Sequence, residues 1–408
     1  MKRTLAGLLL LALVSTLVYG YTMTRRERLY RQSILRGELA MGRGDTFTAV
    51  SAFGEAIDLK PDSMLGYLKR GEARHQRGEL EAAADDLAAA TSRDPTATRA
   101  LELRGDVDLA RQLPERAAEH YATCVKLDDR SPGVLYKLGL AQVLAGRPRD
   151  AADALTRAVA LDDRLTEGHY LLGMCLRELQ RPAEAQRALE RAVALAPSSI
   201  AVREQLAELY AAAGNRAGLI RQLTSLFETD PRASRQIALA AAYAQANQPS
   251  RALRLLANAI ERFPDHADYY VTLGRIWLAT ARADQDPVAL GKAIGALQHA
   301  ASIEPTGEAL ALLGDARVDA NDLLLAEQTL QQATQKPPVD RTTFLRLADA
   351  AERLGHTRDA RAALVDYYSL LDPQDRKALE TARRIADLSN QLGESRAAAE
   401  WGARGGRQ

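Results

Sequence analysis

The sequence has few of the residues on which catalysis or metal binding usually depends. It contains two cysteines, which can form neither a disulfide framework nor a four-ligand metal site. Both, Cys124 and Cys175, fall at predicted helix-packing positions, where a free thiol behaves as a small apolar side chain. The histidines are scattered, and the HExxH, CxxC, GxxxxGK[ST] and GxSxG motifs are absent. We therefore expect no catalytic residues, no metal site and no cofactor.

An excess of charge of either sign is also missing. Lysine and arginine number 54 and aspartate and glutamate 53, which gives a formal net charge of +1. A balanced chain of this kind argues against nucleic acid or an acidic lipid surface as the main partner. Aromatic residues make up only 5% of the chain, whereas alanine, leucine and arginine are abundant. This composition is typical of stacked helices that pack through small side chains.

A repeat with a constant step of 34 residues runs through the first half of the chain. One glycine and two alanines recur at this step, with a single cysteine replacing one of the alanines. The three series are Gly37, Gly71, Gly105, Gly139 and Gly173; Ala49, Ala83, Ala117, Ala151 and Ala185; and Ala56, Ala90, Cys124, Ala158 and Ala192. A fixed period of this length predicts an array of repeated helical hairpins.

One repeat, residues 166–199, shows how each hairpin is expected to form. Apolar residues fall at helical spacing in both of its halves. Pro182 is predicted to open the second helix, because proline fits the first helical turn and disrupts the interior. Gly173 allows the two helices to approach closely, and Leu189 fills the seam between them. Such a hairpin cannot bury its apolar face alone, so it must stack on its neighbours.

These residues resemble the tetratricopeptide repeat (TPR) family. That family favours glycine or alanine at position 8 of the repeat, alanine at 20, a large apolar residue at 24, alanine at 27 and proline at 32. The repeat at 64–97 carries all five, while the aromatic residue that the family favours at position 4 is mostly absent from the other repeats. The matching residues are Gly71, Ala83, Leu87, Ala90 and Pro95. The resemblance implies an all-α fold, a right-handed α-solenoid of stacked helix hairpins, and binding of protein partners.

Three parts of the chain are distinguished on this basis. Residues 1–29 form an N-terminal anchor or signal, residues 30–401 a solenoid of about ten repeats with a C-terminal capping helix pair, and residues 402–408 a flexible tail. Five repeats in unbroken register fill residues 30–199, and later repeats drift. About seven extra residues near 281–287 are expected to form a surface loop, because insertions in repeats map to loops.

The N-terminal segment is predicted to be a transmembrane helix. Residues 4–24 are uncharged and mostly apolar, and this length suffices to cross a bilayer. A cleaved signal peptide is the alternative, although the arginines directly after the segment favour an uncleaved anchor. We expect a bacterial single-pass inner-membrane protein with its repeats on the periplasmic, extracytoplasmic side. The positive-inside rule leaves the cytoplasmic side as the alternative.

The TPR resemblance also implies a binding groove lined by the first helix of each repeat. Repeat positions 2, 5, 9 and 12 then face the groove, which gives it an apolar, aromatic centre with acidic stretches on either side. We expect a peptide partner with apolar anchors and basic flanks, although packing between first helices is an equal alternative for the two tyrosines. The candidate groove residues are Tyr136, Leu140, Val143, Tyr170, Met174, Arg177, Glu72, Glu102, Asp106, Glu204 and Glu208.

The function that these features predict is a membrane-anchored scaffold for protein–protein interaction. We expect it to support an envelope assembly, secretion or polymer-export complex. A structural or self-assembling TPR array is one alternative. A soluble exported adaptor is another, if the N-terminal segment is cleaved.

Overall fold

The computed structural model describes residues 2–372 and 375–406, with side chains described at residue 11 and from residue 13 onwards. This described part of the chain is all-α and contains 22 helices, which form stacked hairpins. The helices are α1 (Lys2–Gly42), α2 (Thr46–Leu59), α3 (Met64–Gln76), α4 (Leu80–Arg93), α5 (Thr98–Ala110), α6 (Pro114–Leu127), α7 (Pro132–Leu144), α8 (Pro148–Leu161), α9 (Thr166–Glu178), α10 (Pro182–Leu195), α11 (Ile200–Ala212), α12 (Arg216–Thr229), α13 (Ala233–Gln245), α14 (Pro249–Arg262), α15 (Ala267–Asp284), α16 (Pro287–Ile303), α17 (Gly307–Asp319), α18 (Leu323–Thr334), α19 (Arg341–Leu354), α20 (Thr357–Ser369), α21 (Arg376–Gln391) and α22 (Ser395–Arg404).

The helix lengths confirm the predicted hairpin repeat. The first helices α3, α5, α7 and α9 each have 13 residues, and the second helices α4, α6, α8 and α10 each have 14. Pro114, Pro148 and Pro182 stand at the first positions of α6, α8 and α10. Proline is tolerated there because the first amides of a helix have no intrahelical acceptor. The prediction that Pro182 opens a second helix is therefore correct.

Close contact between the two helices of a hairpin depends on a glycine in the first helix. A Cβ atom added at Gly139 would lie 2.5 Å from Cγ of Leu155, and one at Gly173 would lie 2.6 Å from Cγ of Leu189. Both leucines are fully buried. Any larger residue at these glycines would push the second helix away, so the repeated Gly–Leu pair sets the width of the hairpin.

The described chain divides into two compact units, an N-terminal unit up to Leu209 and a C-terminal unit from Tyr210. In the N-terminal unit, core clusters join the second helix of one hairpin to the first helix of the next. One such cluster combines Tyr121 and Val125 of α6 with Leu135 and Leu138 of α7. Each hairpin thus completes the core of its neighbour, as repeat arrays require.

The insertion in the C-terminal unit is helical, so the prediction of a surface loop near residues 281–287 is wrong. Helices α15 and α16 have 18 and 17 residues, and only Gln285 and Asp286 separate them. Gln285 has a φ of 52°, which reverses the chain direction, and Asp286 caps α16. The added turn also contacts the next hairpin, since Nε of Arg282 lies 2.6 Å from a carboxylate oxygen of Asp319 on α17.

Helix α1 runs without interruption from Lys2 to Gly42, through the predicted boundary at residue 29. Among the described residues, none of the helices combines the length and the apolar character that crossing a membrane requires. The predicted anchor, residues 4–24, lies partly outside the described side chains. The apolar side chains described between Leu11 and Met23 are exposed.

The last hairpin consists of α21 and α22. Helix α22 extends to Arg404, beyond residue 401, where the sequence analysis ended the solenoid. Nε of Arg383 donates a hydrogen bond of 2.7 Å to the carbonyl of Gly405, and Gly402 is buried. Residues up to 405 therefore contact this hairpin, and residues 407 and 408 lie outside the described part.

Candidate protein-binding groove

The apolar candidate residues form a row of equivalent repeat positions on two adjacent first helices. On α7 they are spaced at i, i+4 and i+7, which places them on one side of the helix, and the same positions recur on α9. All of them are half-buried, so part of each side chain remains accessible to a partner. We call this row the apolar stripe, and its residues are Tyr136, Leu140 and Val143 on α7 with Tyr170 and Met174 on α9.

Tyr136 both supports the core and contributes to the surface. It packs against the buried cluster that α6 and α7 share, yet it is not fully covered. Burial raises the pKa of its hydroxyl, and the negative charge of Glu167 raises it further. Glu167 is exposed, so a carboxylate lies at the edge of the apolar stripe.

The surface beside Tyr136 is open. Gly133 precedes Tyr136 by one turn on α7 and is exposed. No atom outside its own helix turn lies within 4 Å of the position that a Cβ atom of Gly133 would occupy. A ligand side chain therefore has room to reach the tyrosine at this point.

The carboxylates on the N-terminal side of the stripe are held in ion pairs between hairpins. Nη2 of Arg99 lies 2.9 Å from Oε1 of Glu72. Nζ of Lys137 lies 2.6 Å from Oε1 of Glu102 and 2.8 Å from Oδ1 of Asp106. Each cation reaches back to the preceding first helix. This stretch, which the sequence analysis expected to be acidic, is therefore close to neutral.

Lys137 is the residue of this site that sequence reasoning missed. It stands at repeat position 6, between the positions expected to face the groove. Burial alone would lower the pKa of its ammonium group, but hydrogen bonds to Asp106 and Glu102 raise the pKa above its usual value. The available signal was the spacing, because Lys137 follows its two partners by 31 and 35 residues, about one repeat.

The C-terminal side of the stripe also carries a paired carboxylate. Nη1 of Arg177 on α9 lies 2.6 Å from Oε2 of Glu208 on α11. Glu204 and Glu208 are both exposed. The charges flanking the stripe thus include bridges between neighbouring first helices on both sides.

First helices of the C-terminal unit show the same kind of bridge. Arg384 of α21 pairs with two carboxylates of α19, at 2.6 Å from Asp349 and 2.7 Å from Glu352. As with Lys137, one cation spans two acidic residues of the preceding first helix. In both units, such bridges pair charges across the first helices of successive hairpins.

Both cysteines behave as the sequence predicts. Cys124 and Cys175 are free and buried on α6 and α9. Burial raises the pKa of each thiol to about 11. Neutral, inaccessible thiols of this kind act as packing groups.

Comparison with known protein families identifies the repeats. One tetratricopeptide repeat model matches residues 34–98, 76–133, 102–164 and 136–200, and a second matches residues 233–276. Together these matches cover just over half of the chain. The chain belongs to the tetratricopeptide repeat family, whose members serve as scaffolds for protein–protein interaction.

Several solved structures are similar to parts of the chain. The crystal structure of YrrB, described as a TPR protein with an unusual peptide-binding site, is 24% identical and covers 47% of this chain and 98% of its own, with a TM-score of 0.43. A MamA structure is 24% identical and covers 41% and 92%, with a TM-score of 0.40. The Pseudomonas aeruginosa pilF structure is 20% identical and covers 50% and 94%, with a TM-score of 0.38. No curated protein matches the chain.

Proposed function

We propose that this scaffold binds a peptide segment of a partner protein on the apolar stripe of α7 and α9. The observation that carries the proposal is the accessibility of large apolar side chains at equivalent positions of two adjacent hairpins. Tyr136 and Tyr170, like Leu140 and Met174, are one repeat apart and half-buried. Tyrosine and methionine that remain accessible on a surface are typical anchors of protein interfaces.

The partner is expected to enter with apolar side chains. The carboxylates Glu72, Glu102 and Asp106 already have cationic partners within the scaffold. A ligand that competes for them must first break those ion pairs, which makes them poor recognition groups. Glu167 is exposed and forms no ion pair with any residue that the structure describes, so it is the carboxylate best suited to a basic flank.

Binding by the stripe can be tested with peptides selected on the purified protein. A phage-displayed random peptide library is panned on the wild type, and the Kd of the best synthetic peptide is measured by fluorescence polarisation. The double variant Tyr136→Ala/Tyr170→Ala should weaken binding by at least about thirtyfold, because truncating an anchor typically costs about 2 kcal/mol or more. Circular dichroism checks that helicity is unchanged.

A matched control exists on the ends of two second helices. Leu127 and Leu161 are also one repeat apart, apolar and exposed, but they terminate α6 and α8, away from the apolar stripe. The variant Leu127→Ala/Leu161→Ala should bind the peptide as the wild type does. Equal affinity of the peptide for the tyrosine variant and for the wild type would refute the proposal.

We further propose that residues 4–24 anchor the scaffold in the bacterial inner membrane, with the repeats on the periplasmic side serving an envelope assembly, secretion or polymer-export complex. The support is the surface of α1 between Leu11 and Met23, where apolar side chains are exposed in every direction around the helix. Helices that are apolar all round are normally covered by protein or lipid. A topology reporter fused after Gln408, with mass spectrometry of the N-terminus, tests this; a cytoplasmic reporter or a cleaved segment would contradict it.

A further inference from the structure

Three side chains with metal-ligand atoms meet between two neighbouring hairpins of the C-terminal unit. Glu327 lies on α18, His356 is the N-cap residue of α20, and Asp359 follows in the first turn of α20. One nitrogen or carboxylate oxygen of each residue lies within 4.8 Å of those of the other two. We call these three residues the Glu327 cluster. His356 and Asp359 lie in the same helical turn, and Glu327 precedes them by about one repeat, so the stacking of the hairpins brings Glu327 to the other two.

Glu327 is a buried carboxylate that depends on a histidine. Its side chain is only 6% exposed, and its oxygens lie 2.8 and 3.1 Å from Nδ1 of His356. No arginine or lysine pairs with Glu327 in the part of the chain that the structure describes. A buried carboxylate needs a compensating positive charge. Among the described residues, the basic group that contacts Glu327 is the imidazole of His356.

A second buried carboxylate, Asp108, has arginine partners in addition to a histidine. Asp108 of the N-terminal unit lies 3.3 Å from His120, in the same kind of contact. In addition, Arg111 lies 3.1 Å and Arg116 3.6 Å from its oxygens. Asp108 therefore keeps permanent cations at any pH at which the protein is folded. Glu327 has none, and the position of Asp359 beside it adds negative charge rather than removing it.

We propose that Glu327, His356 and Asp359 bind a divalent transition-metal ion of the zinc class, which joins α18 to α20. One imidazole nitrogen and two carboxylate oxygens are a donor set that such ions accept, with water completing the coordination. In a tetrahedral zinc site, neighbouring ligand atoms are about 3.4 Å apart. The Glu327–His356 contact is already this close, and a carboxylate oxygen of Asp359 lies within 4.8 Å of both.

A bound ion would place positive charge directly beside the buried Glu327 carboxylate, which has no arginine or lysine partner among the described residues. This inference concerns the C-terminal unit alone and is independent of peptide binding on the apolar stripe.

The test is zinc binding to the full chain without an affinity tag, after removal of bound metals with a chelator. Isothermal titration with Zn²⁺ should give one site per chain, and Zn²⁺ should raise the Tm. Mg²⁺ at the same concentration should not, because it prefers sites made entirely of oxygen ligands. His356→Gln and Asp359→Asn should each weaken zinc binding at least about tenfold.

Matched controls separate this site from adventitious binding. His299 makes an edge-on contact with the ring of Tyr270 elsewhere in the same unit, and His299→Gln should bind zinc as the wild type does. Asp359 is exposed, so Asp359→Asn tests the site without disturbing the core. If the wild type binds no zinc, or if His356→Gln and Asp359→Asn bind it as tightly as the wild type, the cluster is an ion pair and the proposal is overturned.

Discussion

The two compact units use the same hairpin seam but carry different surfaces. In the N-terminal unit, first helices of 13 residues alternate with second helices of 14 from α3 to α10. In the C-terminal unit, the described helices range from 18 residues in α15 to 10 in α22. Yet Gly314 meets the buried Leu330 there just as Gly173 meets Leu189 in the N-terminal unit. The residues that make a hairpin are thus separate from those that set its length and its surface.

The largest expected effect tests whether the seam is equivalent in both units. Gly173→Val and Gly314→Val should each lower the free energy of unfolding by about 3 kcal/mol, because the new side chain overlaps a buried leucine. Urea denaturation followed by circular dichroism measures the change. The control is Gly133→Ala, at an exposed helical glycine with open space around it, which should be neutral or stabilising by up to about 1 kcal/mol. If one of the two valine variants lost much less stability than the other, the glycine–leucine contact would not have the same role in both units.

A smaller effect, confined to the N-terminal unit, comes from the buried thiols. The pKa of Cys124 and Cys175 is about 11 in the folded chain and near 9 otherwise. Between pH 9 and pH 11 the thiols ionise in the unfolded chain but stay protonated in the folded chain. Ionisation therefore favours the unfolded chain, and the free energy of unfolding, which is unaffected below pH 9, falls as the pH rises to 11. Each thiol should contribute about 2 kcal/mol to this loss.

The double variant Cys124→Ala/Cys175→Ala removes both thiols, and its free energy of unfolding is compared with that of the wild type as a function of pH. The free energy of unfolding should fall less steeply between pH 9 and pH 11 in the alanine variant. Other groups titrate in this range, and the difference between the two proteins cancels their contribution. Identical slopes would mean that the thiols are not protected from ionisation.

The smallest expected effect on stability comes from removing one bridging cation in each unit. The two variants should differ in peptide binding. Lys137→Met should cost about 1 kcal/mol of stability, because Glu102 and Asp106 lose their half-buried partner. Arg384→Met should cost a similar amount by freeing Asp349 and Glu352. Only Lys137→Met should change the affinity for a selected peptide, increasing it for peptides with basic flanks. If both variants changed the peptide affinity equally, the effect would not come from the charges beside the apolar stripe, and the prediction would fail.

The sequence sufficed to predict the hairpins because their geometry is local. Whether a helix can approach another at Gly173 depends on the missing Cβ and on Leu189, and Pro182 can open a helix but not continue one. The length of α15 could not be predicted in this way. Its added turn contacts another helix, since Arg282 pairs with Asp319 of α17, and the repeat pattern does not specify contacts of this kind.

In the candidate groove, too, the sequence predicts the positions of residues but not the contacts between hairpins. The 34-residue repeat places Tyr136 and Tyr170 at equivalent positions on successive first helices, and the TPR resemblance assigns those positions to the groove. The neutralisation of Glu102 and Asp106 by Lys137 depends on how far neighbouring hairpins are rotated against each other, and the repeat pattern does not specify that angle. The charge of the groove was therefore the property least accessible to sequence reasoning.

The most direct test of binding on the apolar stripe is hydrogen–deuterium exchange of the full chain with and without a saturating selected peptide. We predict that backbone amides of α7 and α9 become protected when the peptide is bound, while the second helices α8 and α10 and the helices of the C-terminal unit exchange as before. Protection that falls on α8 and α10, or only in the C-terminal unit, would contradict binding on the stripe formed around Tyr136 and Tyr170.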